Sequence, residues 1–155
     1  MALATTAEID FKIDAMLCDA VAVESGKLYM QGGGWNMVMT TEFPAKIARI
    51  GVAALIHVPY SKTNALHRLL VQLQDDDGNR IPLGTGEEGM LEAQFNVGRP
   101  PTLQAGEEQL LPFAVYLDAL SFPKPGTYSF VFTLNTNELA RLTFRITGPP
   151  GIQFS

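Results

Sequence analysis

Apolar and polar residues alternate most cleanly in the last third of the chain. Tyr128, Phe130, Phe132 and Leu134 alternate with Ser129, Val131 and Thr133, and Ala140, Leu142, Phe144 and Ile146 alternate with Arg141, Thr143 and Arg145. A period of two marks a strand with one face in the core, so these runs predict an antiparallel hairpin with one wet face. Directly opposed residues share a face, and two even-numbered apolar sets meet only across a loop with an odd number of residues. Asn135-Thr136-Asn137 is the expected loop, with Asn137 left-handed; a two-residue turn would need a bulge to restore register. Just upstream, Pro125-Gly126 predicts a type II turn with Gly126 at positive φ. Tyr128 then has the placement of a tyrosine corner and equally that of an ordinary core tyrosine.

The same reading covers the rest of the chain. From Phe11 to Val23, Ile13, Ala15, Leu17, Val21 and Val23 share a face that Asp19 interrupts, while Met16, Cys18, Ala20 and Ala22 fill the other. Glu24-Ser25-Gly26 predicts a turn into a short strand at Leu28 and Met30, which Gly32-Gly33-Gly34 ends. Trp35, Met37 and Met39 are expected on one face, with Val38 opposite. Ile47 to Val58 is apolar on both faces and predicts a central strand. Leu66 to Leu73 runs into the turn signal Asp75-Asp76-Asp77-Gly78-Asn79. Met90 to Val97 has one wet face, and Pro112 in the Leu111-to-Leu117 strand predicts an edge position or a bulge. No segment of ten or more residues carries a helical period. About eight strands at turn-separated spacing predict an all-β fold, an antiparallel two-sheet β-sandwich of immunoglobulin-like type. Residues 1–10 read as a loose leader, 11–147 as a single domain and 148–155 as a C-terminal tail.

Composition narrows the functional classes. At 155 residues the chain suffices for one domain with a sizeable core. Its 11 basic and 16 acidic residues leave a net charge of -5 without a basic cluster, so no nucleic-acid footprint is expected. The lone Cys18 excludes an internal disulfide and a cysteine-based zinc site and fits a reducing compartment. With no signal-peptide pattern and no apolar run of membrane-spanning length, the expected location is the cytoplasm, away from any membrane.

Three pieces of sequence carry a resemblance: Leu17-Cys18-Asp19-Ala20 with Ser25-Gly26-Lys27-Leu28 and Gln31-Gly32-Gly33; Val71-Gln72-Leu73 with Asp77-Gly78; and Phe122 to Tyr128 with Glu138-Leu139-Ala140. Together they resemble a widespread family of small bacterial β-sandwich proteins of unknown function. The resemblance extends from about Ile13 to Ile146 and rests on turn and core positions. It implies a sandwich and supplies no catalytic residues.

Candidate chemistry was weighed against plainer roles. Cys18 could be a nucleophile served by His57 or His67, but its place in an apolar strand predicts a buried, inert thiol. His57, His67 and Asp19 make a weak metal set, and no metal or cofactor is expected. Gly32 to Gly34 lacks the Lys-Ser/Thr of a phosphate loop and predicts a tight bend. Asp75, Asp77 and Asn79 open like a calcium loop, yet Arg80 and Gly86 stand where its glycine and glutamate belong. Glu87 and Glu88 read as solvated charge. Trp35, with Asn36, Gln31 and Tyr29, could stack on a sugar or peptide, but core packing is the expected role of the only tryptophan.

The sequence therefore predicts a non-enzymatic module for assembly or partner binding, with a small-ligand or carbohydrate-like binding module as the alternative. Ala53 and Leu55 oppose the core face of their strand, and Leu110, Ala114 and Tyr116 oppose theirs. Such second apolar faces need a cover. A homo-oligomer with Leu55 or Tyr116 in the contact is expected, or an unidentified protein partner; a leader or outer strand of the same chain is the alternative cover. Trp35, Leu55 and Tyr116 are the candidate binding or interface residues.

Overall fold

The structure, a computed structural model, describes residues 10–83 and 90–149 of the chain. It is all-β, and among the described residues the only helical piece is a 3-10 turn at Tyr60–Lys62. In chain order the strands are β1 (Lys12–Cys18), β2 (Ala20–Glu24), β3 (Lys27–Gln31), β4 (Met37–Met39), β5 (Ala45–Pro59), β6 (Leu66–Asp75), β7 (Met90–Asn96), β8 (Glu108–Phe122), β9 (Gly126–Leu134) and β10 (Asn137–Thr147). They form a three-stranded sheet ordered β1-β5-β8, a five-stranded sheet ordered β4-β10-β9-β6-β7, and the separate hairpin β2-β3.

One core joins the inner faces of the two larger sheets. Ile50, Val52, Ala54, Ile56 and Val58 of β5 are fully or almost fully buried, as are Tyr128, Phe130, Phe132 and Leu134 of β9 and Phe144 and Ile146 of β10. Phe144 is the hub of the aromatic packing, stacked on Phe130 at 5.5 Å and edge-on to Phe122 at 5.8 Å. Each such buried side chain contributes about 1.5–3 kcal/mol by leaving water. The outer face of the five-stranded sheet is polar, with Ser129 hydrogen-bonded to Thr143 at 3.0 Å and Arg68 paired with Glu92 at 2.6 Å.

Several expectations hold. β5 is central in its sheet, β8 with Pro112 is an edge strand, and Asp75 Oδ1 accepts from the backbone N–H groups of Asp77 and Asn79, both at 2.9 Å, to close the acidic turn. Others need correction. The described residues form ten strands rather than about eight, partly because Asp19 splits the first long run into β1 and β2. The arrangement is not wholly antiparallel, since β4 pairs parallel to β10. Val38, not Met37 or Met39, packs on the core, and those two methionines are 46% and 56% exposed.

The β9–β10 hairpin keeps its expected face pairing by the other route. Phe130 opposes Leu142 and Tyr128 opposes Phe144, but the turn is the two residues Asn135-Thr136, and a register shift between Glu138 and Ala140 restores the even pairing. Asn135, not Asn137, is left-handed, at φ 57. The reason is tertiary: Asn135 N–H donates to the Arg68 carbonyl at 2.7 Å, and its side-chain oxygen accepts from Arg68 N–H at 3.1 Å. Gly126 has a positive φ as expected, but at 152 it already belongs to β9 and lies far from the roughly +80° of a type II turn.

Tyr128 is 1% exposed, and its hydroxyl donates to the Lys124 carbonyl at 2.5 Å. The bond ties the Phe122-to-Gly126 corner to the core. Tyr128→Phe keeps the ring packing and removes this bond, so it should cost about 0.5–1.5 kcal/mol in urea unfolding without changing the slope.

Candidate functional site

The outer face of the three-stranded sheet is the part of the molecule whose cover the sequence left open. Register places Met16, Ala53 and Ala114 in one row across it, with Asp14, Leu55 and Pro112 in the next and Cys18, Gly51 and Tyr116 on the other side. These are the outward residues of all three strands. A face this apolar must be covered, and the chain covers half of it.

The cover is the β2–β3 hairpin. Cys18, Val21 and Ala53 form a second small buried cluster, against which Leu28 and Ala114 pack. Tyr116 pins the hairpin down, because its hydroxyl accepts the Val21 N–H at 2.8 Å. The Arg49 guanidinium lies 4.4 Å over the Tyr116 ring and is held there by Asp118 at 2.6 Å. Gly32 lets the chain leave the hairpin: its φ is +62, and a Cβ there would stand 2.2 Å from a carboxylate oxygen of Asp19. Beside it, Gly33 lies under the Met16 and Met30 sulfurs, and Gly34 N–H donates to the Leu17 carbonyl at 2.9 Å. The triple glycine is thus a close-packed bend.

The other half of the face stays open. An apolar groove of about 600 Å³ runs past Met16, Met30 and Leu55 and along the edge of β1 to Leu139, Ala140 and Leu142 of β10. Asp14 and Arg141 stand among its walls as the two charges. Met16 is 41% exposed and Leu55 is half-buried. At the far end of β5 a more polar depression of about 410 Å³ is lined by Asp10, Tyr60, Ser61, Lys62 and Glu107, among others.

The three candidate residues do not form one site. Leu55 lines the groove, whereas Tyr116 stands on the same face, committed to the hairpin. Trp35 is half-buried on the core, edge-on to Phe144 at 6.4 Å, with a buried Nε1 that has no hydrogen-bond partner. It offers no open platform. A shallow hollow bordered by Tyr29, Gln31 and Tyr116 does not include Trp35 or Asn36. The proposed Glu87 and Glu88 reading lies outside the described residues.

The chemical candidates are also separated. Cys18 is fully buried, and desolvation, with the nearby Asp19 charge second, pushes its thiol upward. His67 is buried on the other sheet, bonded to the Lys62 carbonyl at 2.7 Å and edge-on to Phe11. Among the described residues, no group of three or more His, Cys, Asp or Glu residues is arranged to hold a metal ion. The sequence offers His57 as a base, a ligand or plain strand-end polarity. In the structure it joins Asp14 and Glu108 across the sheet, at 2.7 and 2.6 Å, a grouping visible only after β1, β5 and β8 are aligned.

A family model matches residues 13–147, the whole of the three sheets and the groove. The chain belongs to DUF6941, a family of unknown function. This agrees with the expectation, drawn from its turn and core residues, of a family of unknown function. Comparison with curated proteins finds no match. Among solved structures, the chain is similar to a beta-glucosidase from Listeria innocua in complex with isofagomine, at 13% identity and a TM-score of 0.40. The similarity covers 90% of this chain and 16% of the glucosidase chain. No helix among the described residues of this DUF6941 chain is long and apolar enough to cross a membrane.

Burial of Cys18 predicts slow labelling by a thiol reagent in the native protein, with a burst to full reactivity on unfolding in denaturant. Tyr116→Phe should cost about 0.5–1.5 kcal/mol and raise hydrogen exchange at Val21, because that N–H loses its acceptor.

Proposed function

We propose that this chain is a non-enzymatic assembly module whose open groove holds a second copy of itself. The observation that carries the reading is the half of the outer sheet face that no described residue covers, where Met16, Met30 and Leu55 line an apolar groove beside the edge of β1. Charge complementarity favours a second copy over an unrelated partner. Asp14 of β1 and Arg141 of β10 both line the groove, so a two-fold-related copy sets each of them against its opposite charge on the facing copy. Two-fold pairing is also the commonest closed assembly. Methionines suit such a surface, since their unbranched, polarisable side chains adapt to the facing shape.

We further read the two facing sheets as an immunoglobulin-like sandwich, with the Tyr128 hydroxyl bond to Lys124 as its tyrosine corner. The reading as a cytoplasmic bacterial protein rests on the single unpaired cysteine and the resemblance of its turns. What weighs against the small-ligand alternative is that Trp35 is half-buried and packed edge-on to Phe144.

Light scattering at micromolar concentration should give a dimer or a larger closed oligomer. Leu55→Asp should give a folded, smaller species, because a carboxylate in a dry contact loses its hydration. If that variant does not fold, Met16→Glu at an exposed position makes the same test. A monomeric native mass ends the proposal.

A further inference from the structure

The outer sheet face also carries a polar cluster, of which the assembly reading uses Asp14 alone. His57 stands on β5 between two edge strands. Its Nδ1 lies 2.6 Å from Glu108 Oε2 on β8, and its Nε2 lies 2.7 Å from Asp14 Oδ2 on β1. An ionised carboxylate only accepts hydrogen bonds, whereas a neutral imidazole has a single N–H to give. A neutral ring would therefore turn a nitrogen lone pair toward one of the two carboxylates. Only the imidazolium satisfies both contacts at these lengths.

We propose that His57 is a proton-operated clamp: protonated, it ties both edge strands to β5, and loss of its proton frees the β1 side. The choice of side follows from the neighbours. Lys12 Nζ lies 3.7 Å from Asp14 Oδ1, so Asp14 keeps a cationic partner when the ring is neutral. Among the described residues, Glu108 has no ion pair except that with His57, so the remaining proton stays on Nδ1. Among the described residues, β1 is also held to its sheet along one edge only.

The charges around the ring are of both signs, and the two that bond it are carboxylates. Lys12 and Asp14 face it from β1 and Glu108 from β8. Arg141 of β10 stands with Asp14 on the groove, and Asp10, Lys62 and Glu107 line the depression at the end of β5. The hydrogen bond to Glu108 is the largest influence raising the His57 pKa above its usual range; partial desolvation opposes it, and the bond to Asp14 adds to it. The bond from His57 also holds the Asp14 carboxyl below its usual value. A histidine raised on folding contributes stability that is fully present below its unfolded value of about 6.5 and is lost as pH rises through the folded value. β1 is therefore clamped on the acid side of that transition and loosened on the alkaline side.

Nitrogen-15 NMR of the full chain tests this without any substitution. Both ring nitrogens of His57 should be protonated below the transition, the midpoint should lie above that of an unperturbed histidine, and the Nδ1–H tautomer should remain above it. Hydrogen exchange at β1, corrected for its intrinsic pH dependence, should accelerate through the same midpoint by about tenfold per unit of elevation, while β9 shows no such step. Glu108→Gln should lower the midpoint more than Asp14→Asn. Repeating the exchange on Leu55→Asp separates the clamp from self-association, since the step should persist in a monomer. A His57 midpoint at or below the ordinary value, or β1 exchange without a step there, overturns the proposal.

Discussion

The structure depends on one constraint: the three-stranded sheet is apolar on both faces, and a sheet in water has only one core to turn toward. The inner rows of β1, β5 and β8 meet β6, β9 and β10 in the shared core. The outer row at Cys18, Ala53 and Ala114 then has to be buried separately. The β2–β3 hairpin meets that need. It folds back over the sheet immediately after β1, which is why the first long apolar run breaks into two strands at Asp19.

That fold-back sets demands that explain otherwise puzzling residues. The exit from the hairpin passes so close to the Asp19 carboxylate that a side chain at position 32 would have to displace it, in a backbone conformation that favours glycine. Tyr116 supplies an acceptor for a hairpin N–H, and Arg49 and Asp118 fix its ring. The hairpin is too short to reach the whole face. Beyond it, Leu55 and the two methionines border the groove, and the sheet ends in the Asp14, His57 and Glu108 cluster. One face thus passes from dry and covered, through apolar and open, to polar and cross-linked, within the length of β5.

The polar end follows the same strand logic. His57 points outward because Ile56 and Val58 point inward, and the register of β1 and β8 brings one carboxylate to each side of it. Side chains join β5 to β8 at Arg49 and Asp118, and here they join all three strands.

The sequence by itself determined what depends on local periodicity and residue chemistry. The all-β class, the central position of β5, the edge position of Pro112, the acidic turn and the buried Cys18 were all readable, because alternation, proline's missing donor and turn-forming side chains act within a few residues. Ala53 and Leu55 were also readable as residues in need of a cover. What covers Ala53 was not, since it depends on the path of a hairpin over a sheet that strands far apart in sequence build. The left-handed residue of the last turn fell at Asn135 because Arg68, on another strand, supplies its partners. The His57 cluster has the same origin: its members are separated by 43 and 51 positions in the chain, and no spacing rule links them. Only the strand register, set by the packing of the whole core, brought them within hydrogen-bonding distance.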